Sequence, residues 1–326
     1  MNNDHSSWEL PQELRLLRDT VRRFMKQEVQ PAEQGLDPDC IELPPEKLLP
    51  MQKKARELGL WCIESPAEYG GAGLSLLGQA VVAEQAAKCR MGLYFPAASA
   101  FGIDPPNVIF KGTPEQIRRF GLPAIEGAMW CFVAMSEASG GSDPGRAIQT
   151  RAVKKGDRYI VNGTKLWIGG ADRSPWGILF ARTGGPGRSG ISCFVVEGNT
   201  PGMSMKKIPV IRSYYPNEVH FEDVEIPAEN LLGEEGKGFE IAEEWLVHAR
   251  VPYAAGCIGV AQEALDRVIE YAKIREVFKS RLADMQGIQW MLADSEVELR
   301  AARMLVWQAA WSGDLGRDMK LDASVA

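Results

Sequence analysis

Residues 136–143, Ser-Glu-Ala-Ser-Gly-Gly-Ser-Asp, form a stretch almost free of bulky side chains. Backbone amides and hydroxyls in such a loop can approach a planar, electron-rich ligand closely. Downstream, Tyr159 to Trp167 alternates around Asn162-Gly163, a dipeptide that signals a β-hairpin. That pattern carries Trp167 to a strand end, where its indole can lie against the same ligand. Taken singly, each piece has a plainer reading: a surface loop with a Ser/Asp cap, an ordinary hairpin, and a tryptophan used for packing.

The elements that must position these residues follow from periodicity. Leu14, Leu17, Val21, Phe24, Met25 and Val29 recur at helical spacing and predict a helix that stops before Pro31. A second helix is predicted near 46–58, ending at Gly59, and Thr113-Pro114-Glu115-Gln116 supplies an N-cap, a first-turn proline and a capping-box partner. From about 130 to 227 the period changes to two. Strands are predicted near 130–135, 147–154, 158–169, 176–182, 191–197 and 217–226. Beyond Gly236 the helical period returns over 238–279 and 286–312, with Pro252, Gly256 and Gly259 marking a kink or a close helix contact. The expected fold class is α+β: an N-terminal α-helical domain over 1–128, a middle β-barrel or sandwich over 129–230, and a C-terminal helical bundle over 231–326.

Composition bounds the function. With 45% hydrophobic and 25% charged residues, the 326-residue chain is long enough for more than one core. A net charge of −6 without a dense Lys/Arg block argues against nucleic acid, and Arg22-Arg23 and Arg118-Arg119 read as solvated helix faces. Cys40, Cys62, Cys89, Cys131, Cys193 and Cys257 contain no CxxC, and His5, His220 and His248 have no metal spacing, so a zinc or redox-disulfide enzyme is not expected. The polar N-terminus resembles neither a signal nor a transit peptide, and no apolar run reaches membrane-spanning length. The expectation is a cytoplasmic protein without membrane insertion.

Taken in order and at this spacing, residues 131–170 resemble the middle domain of acyl-CoA dehydrogenases. The resemblance extends through the runs ELGLWCIESPAEYGGAGLS (57–75), VHFEDVEIPAENLLGEEGKGF (219–239) and YAKIREVF…QGIQWMLAD (271–294). It implies FAD as cofactor and α,β-desaturation of an acyl-CoA: a carboxylate removes the Cα proton while a hydride leaves Cβ for the flavin. It also implies hydrogen-bond donors at the thioester oxygen.

By the same resemblance, the stretch from Cys131 through Val133, Met135 and Ser136 to Ser142 contacts the flavin, Ser142 touching the pyrophosphate or the CoA arm. Trp167 packs against the flavin. Ile168 and Gly169 follow it where relatives commonly read Ile-Thr, so a hydroxyl at the reactive flavin nitrogen is missing. Arg275, Phe278 and Gln286 match residues that reach FAD in a neighbouring subunit, the arginine suiting phosphate through its planar fork. Lys279-Ser280 stands where a glycine usually follows that phenylalanine, so a different turn is expected. Arg250 matches a substrate-facing arginine, and Val247 stands where many relatives have aspartate.

The catalytic base has no match in the chain. One family branch places it at the position of Ala249, and the commoner position is expected beyond Ala326. Glu243 and Glu244 lie nearby but read as surface carboxylates. A helix beginning around Asp318 stops at Ala326 with its apolar face barely started, which suggests a fragment or a shortened relative. The expected partners are an acyl-CoA substrate, electron-transfer flavoprotein as electron acceptor, and further copies of the chain in a homotetramer or homodimer. The alternatives are an oxygen-using acyl-CoA oxidase or flavin monooxygenase of the same fold, left open by Gly169, and a catalytically incomplete FAD-binding fragment.

Overall fold

The computed structural model describes residues 9–211 and 215–326. The polar N-terminal stretch through Trp8, with His5, lies outside the described residues.

The first helix, α1 (Gln12–Phe24), continues through a wider turn over Met25–Val29 into Gln30–Ala32. The predicted stop before Pro31 is therefore corrected. Proline lacks only an N–H, and after the five-residue-step turn it sits in the first turn of the next segment, where that donor has no helical partner anyway. Helices α2 (Pro45–Glu57) and α3 (Leu76–Ala86) complete the N-terminal core, in which Val21, Phe24, Met25, Val29, Met51 and Val82 are buried together. The capping box at Thr113 forms, with the Thr113 hydroxyl accepting from the Gln116 amide at 3.2 Å.

Eight strands follow, in a mixed sheet of order β6-β7-β3-β2-β4-β5-β8 with β1 added parallel to β4. They are β1 (Cys131–Ala134), β2 (Arg151–Lys155), β3 (Arg158–Ile168), β4 (Trp176–Arg182), β5 (Ile191–Glu197), β6 (Met203–Lys207), β7 (Asn217–Pro227) and β8 (Leu231–Leu232). Strand β4 is buried along its whole length. Its Leu179 and Ala181 enter one core with Tyr159, Val161, Phe194 and Val224. Its Ile178 and Phe180 enter another, which also takes Phe120 and Ala242 from flanking helices. That two-sided burial seats the sheet between the helical parts.

The predicted hairpin at Asn162-Gly163 is not there. Strand β3 runs straight through both residues, and its register against β7 shifts between Val161 and Gly163. Gly163 has φ 152°, and a Cβ on it would lie 2.4 Å from Thr150 Oγ1. The extra residue lies on β7, where Glu222 and Asp223, the latter at φ 49°, oppose Asn162 alone, and glycine at 163 admits the close approach of Thr150. The two-residue turn falls earlier, at Gly156-Asp157 between the paired Lys155 and Arg158, with Gly156 at φ 63°. Trp167 still ends up one residue from the end of β3.

Two long helices close the fold: α4 (Gly238–Ile274) and α5 (Gln286–Asp314), joined by a small ribbon of β9 (Glu276–Val277) and β10 (Ser280–Arg281). Pro252 lies within α4 without ending it. Gly259 is the close-contact glycine: a Cβ there would lie 2.0 Å from the Glu84 carbonyl oxygen of α3. Among the described residues, no helix is long and apolar enough to cross a membrane.

Candidate active site

The loop beginning at Ser136 is built from below by a buried ion pair. Lys165 Nζ donates to Glu137 Oε1 at 2.8 Å and to the Met135 carbonyl at 2.9 Å. Glu137 also accepts from the Gln149 amide at 2.7 Å and the Thr150 amide at 3.0 Å. The lysine is fully buried and the glutamate nearly so. Burial pushes the Lys165 ammonium down to about 8, against the pull of Glu137. Burial alone would raise Glu137, but the lysine's charge, its hydrogen bond and the two amides outweigh it and hold the carboxylate below its usual range. At neutral pH the pair is ionic, and the loop hangs on it.

A second tie joins loop to strand: the Leu166 amide donates to the Ser136 carbonyl at 2.9 Å. Beyond Glu137 the loop is anchored by Ser139 Oγ, which donates to the Ala147 carbonyl at 3.1 Å, while Gly141, Ser142 and Asp143 are exposed. Next to this tie, Trp167 is 57% exposed and held at φ 64°, a left-handed backbone that a tryptophan rarely adopts. Strain of this kind persists where surrounding structure enforces it, and it clusters at sites that bind ligands.

The structure brings Cys131, Val133, Met135, Ser136, Ser142, Trp167, Ile168 and Gly169 onto β1, its loop and the end of β3. Their side chains do not all face the same way. Cys131 and Val133 are half-buried on one face of β1, while Phe132 and Ala134 are buried on the other. Met135 and Ile168 are core residues, so only their main chain is open to a ligand. Burial pushes the Cys131 thiol up to about 12, which leaves it a packing group rather than a nucleophile.

Arg275, Phe278 and Gln286 stand apart from this group. Arg275 caps α4, Phe278 is 93% exposed at the tip of the β9–β10 ribbon, and Gln286 opens α5. The altered turn is accommodated by Phe278 and Lys279 both taking left-handed backbone, at φ 53° and 65°. Arg250 is exposed on α4 and donates to Ser324 Oγ at 3.1 Å. Val247 packs into the cluster of α3, α4 and α5. Glu244 pairs with Lys111 at 2.7 Å, and Glu243 pairs with Lys320 at 2.8 Å, so both are occupied at the surface.

A cavity of about 410 Å³ opens beside Trp130 and Cys131, between the N-terminal helices and α4. Trp130 links it to the end of β3: Gly170 lies against its ring, and the Arg173 guanidinium sits 4.3 Å over it. Trp245, Ala249, Pro252 and Tyr253 of α4 form the opposite wall. Sequence reasoning missed the cavity residues Glu64, Asp104 and Trp130, and it missed the pairing of Lys165 with Glu137. A signal for the pair was present, since Lys165 falls on the same inward parity as Val161 and Gly163, where a lone lysine needs an acid.

Three family profiles match in sequence: the acyl-CoA dehydrogenase N-terminal domain over residues 11–128, the middle domain over 132–224 and the C-terminal domain over 236–326. The chain is 35% identical to a probable acyl-CoA dehydrogenase, YngJ, of Bacillus subtilis, over 98% of this chain and 84% of that protein. It is also 35% identical to the mitochondrial short-chain specific acyl-CoA dehydrogenase of Rattus norvegicus, over 99% of this chain and 78% of that one. The solved structure of butyryl-CoA dehydrogenase from Megasphaera elsdenii superposes with a TM-score of 0.83 at 30% identity, covering 98% of this chain and 84% of that one.

Proposed function

The chain belongs to the acyl-CoA dehydrogenase family, and we propose that it desaturates an acyl-CoA thioester between Cα and Cβ with FAD as cofactor. The observation that carries this reading is Trp167: half outside the core, strained in its backbone, and tied through Leu166 to a loop of small residues. Core packing has no need of such a residue. A flat cofactor laid against the indole would cover it, which is the fit this site offers FAD.

Bound FAD supplies the hydride acceptor. Cys131, Val133, Met135 and Ser136 bring the main chain of β1 toward it, and the amides and hydroxyl at Ser142 suit its phosphates or those of CoA. Ile168 and Gly169 can contact it only through backbone. Val247 and Arg250 belong to the substrate side along α4. The carboxylate that removes the Cα proton is not assigned within these residues: Ala249 precedes Arg250, and Glu243 and Glu244 are ion-paired at the surface.

Arg275, Phe278 and Gln286 complete the cofactor site of a second copy in this reading. Support comes from large apolar side chains left exposed on and beside these segments: Ile274 is 78% exposed, Phe278 93%, Trp290 62% and Met291 66%. An electron-transfer flavoprotein then takes the electrons onward. The test is to incubate the protein with FAD, a panel of short acyl-CoA thioesters and an artificial electron acceptor. Mass spectrometry should show one thioester losing a hydrogen from each of Cα and Cβ, and recovery of the whole panel unchanged would overturn the reading.

A further inference from the structure

The cavity beside Trp130 carries two groups that a pocket for a plain alkyl chain does not need. Trp130, Trp245, Tyr94 and Tyr253 give it aromatic walls, but Glu64 and Asp104 line the same space. A carboxyl group drawn into protein loses hydration that only donors or cations restore.

The protein meets that need for Asp104. Its Oδ1 accepts from the Glu64 amide at 3.2 Å, the Ser65 amide at 2.9 Å and the Ser65 hydroxyl at 2.7 Å. These bonds hold the loop after α2 in place and aim residue 64 at the cavity. For the Glu64 carboxyl, the acting influences are burial and the negative charge of Asp104, and both push it toward its protonated form. Glu64 itself is exposed, and it is one of the residues that line the cavity. An acid lining a ligand-sized space, next to a neighbour of like charge, has no donor among the described residues.

We propose that Glu64 is a specificity residue of the acyl pocket, accepting a hydrogen bond from a hydroxyl or amine on the acyl group. The cavity then selects a donor-bearing acyl-CoA over the plain alkyl thioester of equal length. This inference rests on the acyl-CoA reading above. Asp104 adds a second acceptor when that donor is a protonated amine, since a cation between the two acids relieves their repulsion.

The test uses the FAD-loaded protein and CoA thioethers, which lack the carbonyl and cannot react: S-butyl-CoA, S-(ω-hydroxybutyl)-CoA and S-(ω-aminobutyl)-CoA, titrated by calorimetry. At least one substituted thioether is expected to bind about tenfold tighter than S-butyl-CoA, the size of one hydrogen bond to an acid. Glu64→Leu should erase that preference while binding S-butyl-CoA as well as or better than before, with circular dichroism and melting confirming the fold. Glu64→Gln separates the two donors: it should keep a hydroxyl preference and lose an amine preference. Equal or tighter binding of S-butyl-CoA by the unaltered protein, or an unchanged preference in a folded Glu64→Leu, would overturn this inference alone. Failure of all three thioethers to bind would overturn the acyl-CoA reading and this inference with it.

Discussion

Lys165 and Glu137 meet at 2.8 Å beneath the small-residue loop, with both side chains sealed from solvent. One end of the pair is fixed in β3, two residues before Trp167, and the other lies one residue after Ser136. The pair therefore sets the distance between the two halves of the cofactor site. Lys165→Met leaves a buried carboxylate without its cation. We expect a loss of about 3–5 kcal/mol in denaturant-induced unfolding, together with loss of retained FAD. An unfolding midpoint within error of the unaltered protein would show that the pair is not what holds the loop.

Trp167 separates stability from function. Its indole is 57% exposed and its φ is 64°, so Trp167→Gly removes little packing and relieves backbone strain of about 1 kcal/mol. The variant should melt as high as the unaltered chain or higher, yet bind FAD about tenfold more weakly for want of the stacking surface. A lowered melting temperature with unchanged FAD affinity would make the tryptophan a structural residue.

Gly259 fixes how near α4 lies to α3, and with it the width of the cavity between them. A methyl group there would sit 2.0 Å from the Glu84 carbonyl oxygen, so the helices must part. Gly259→Ala is expected to cost about 1–3 kcal/mol by thermal or chemical unfolding. A neutral substitution would mean the two helices slide apart freely.

Stability should also depend on pH through Glu64 and Asp104. Burial raises both carboxyls, Glu64 further through the charge of Asp104. The folded chain thus keeps protons that the unfolded chain has already released. Stability falls as pH rises from the ordinary carboxylate range through the raised values. Glu64→Gln removes its share of that slope, so the variant should gain on the unaltered protein as pH rises from acid to neutral. Parallel stability curves for the two would contradict the raised Glu64.

Much of this architecture was legible in the sequence. Strands β1 to β3 and β7 announce themselves by alternation and α4 and α5 by long helical periods, because burial on one face writes those patterns directly, while β4 and β5 stand out as short apolar runs buried on both faces. Asn162-Gly163 misled because a long strand packed closely by a neighbour, here Thr150, needs a glycine as much as a turn does. Pro31 misled for a related reason: the wider helical turn over Met25–Val29 had already interrupted the ordinary ladder. Helix α3 is buried on most of its sides, with Gly78, Ala80, Val81, Val82, Glu84 and Gln85 all inside, so it shows no amphipathic stripe to read. In the site, the loop and Trp167 were visible as local motifs. Of the Lys165–Glu137 pair only the inward parity of Lys165 was visible, and of the Glu64–Asp104 cavity nothing, since each joins residues separated by tens of positions and only the closed sheet and the packing of α4 on α3 bring them together.

The most direct measurement is an anaerobic titration of the FAD-loaded protein with short-chain acyl-CoA thioesters while recording the visible absorbance of the flavin. The account predicts that FAD stays bound through gel filtration and that at least one thioester bleaches it. Flavin that washes away, or flavin that stays yellow and spectrally unperturbed with every thioester, would contradict it.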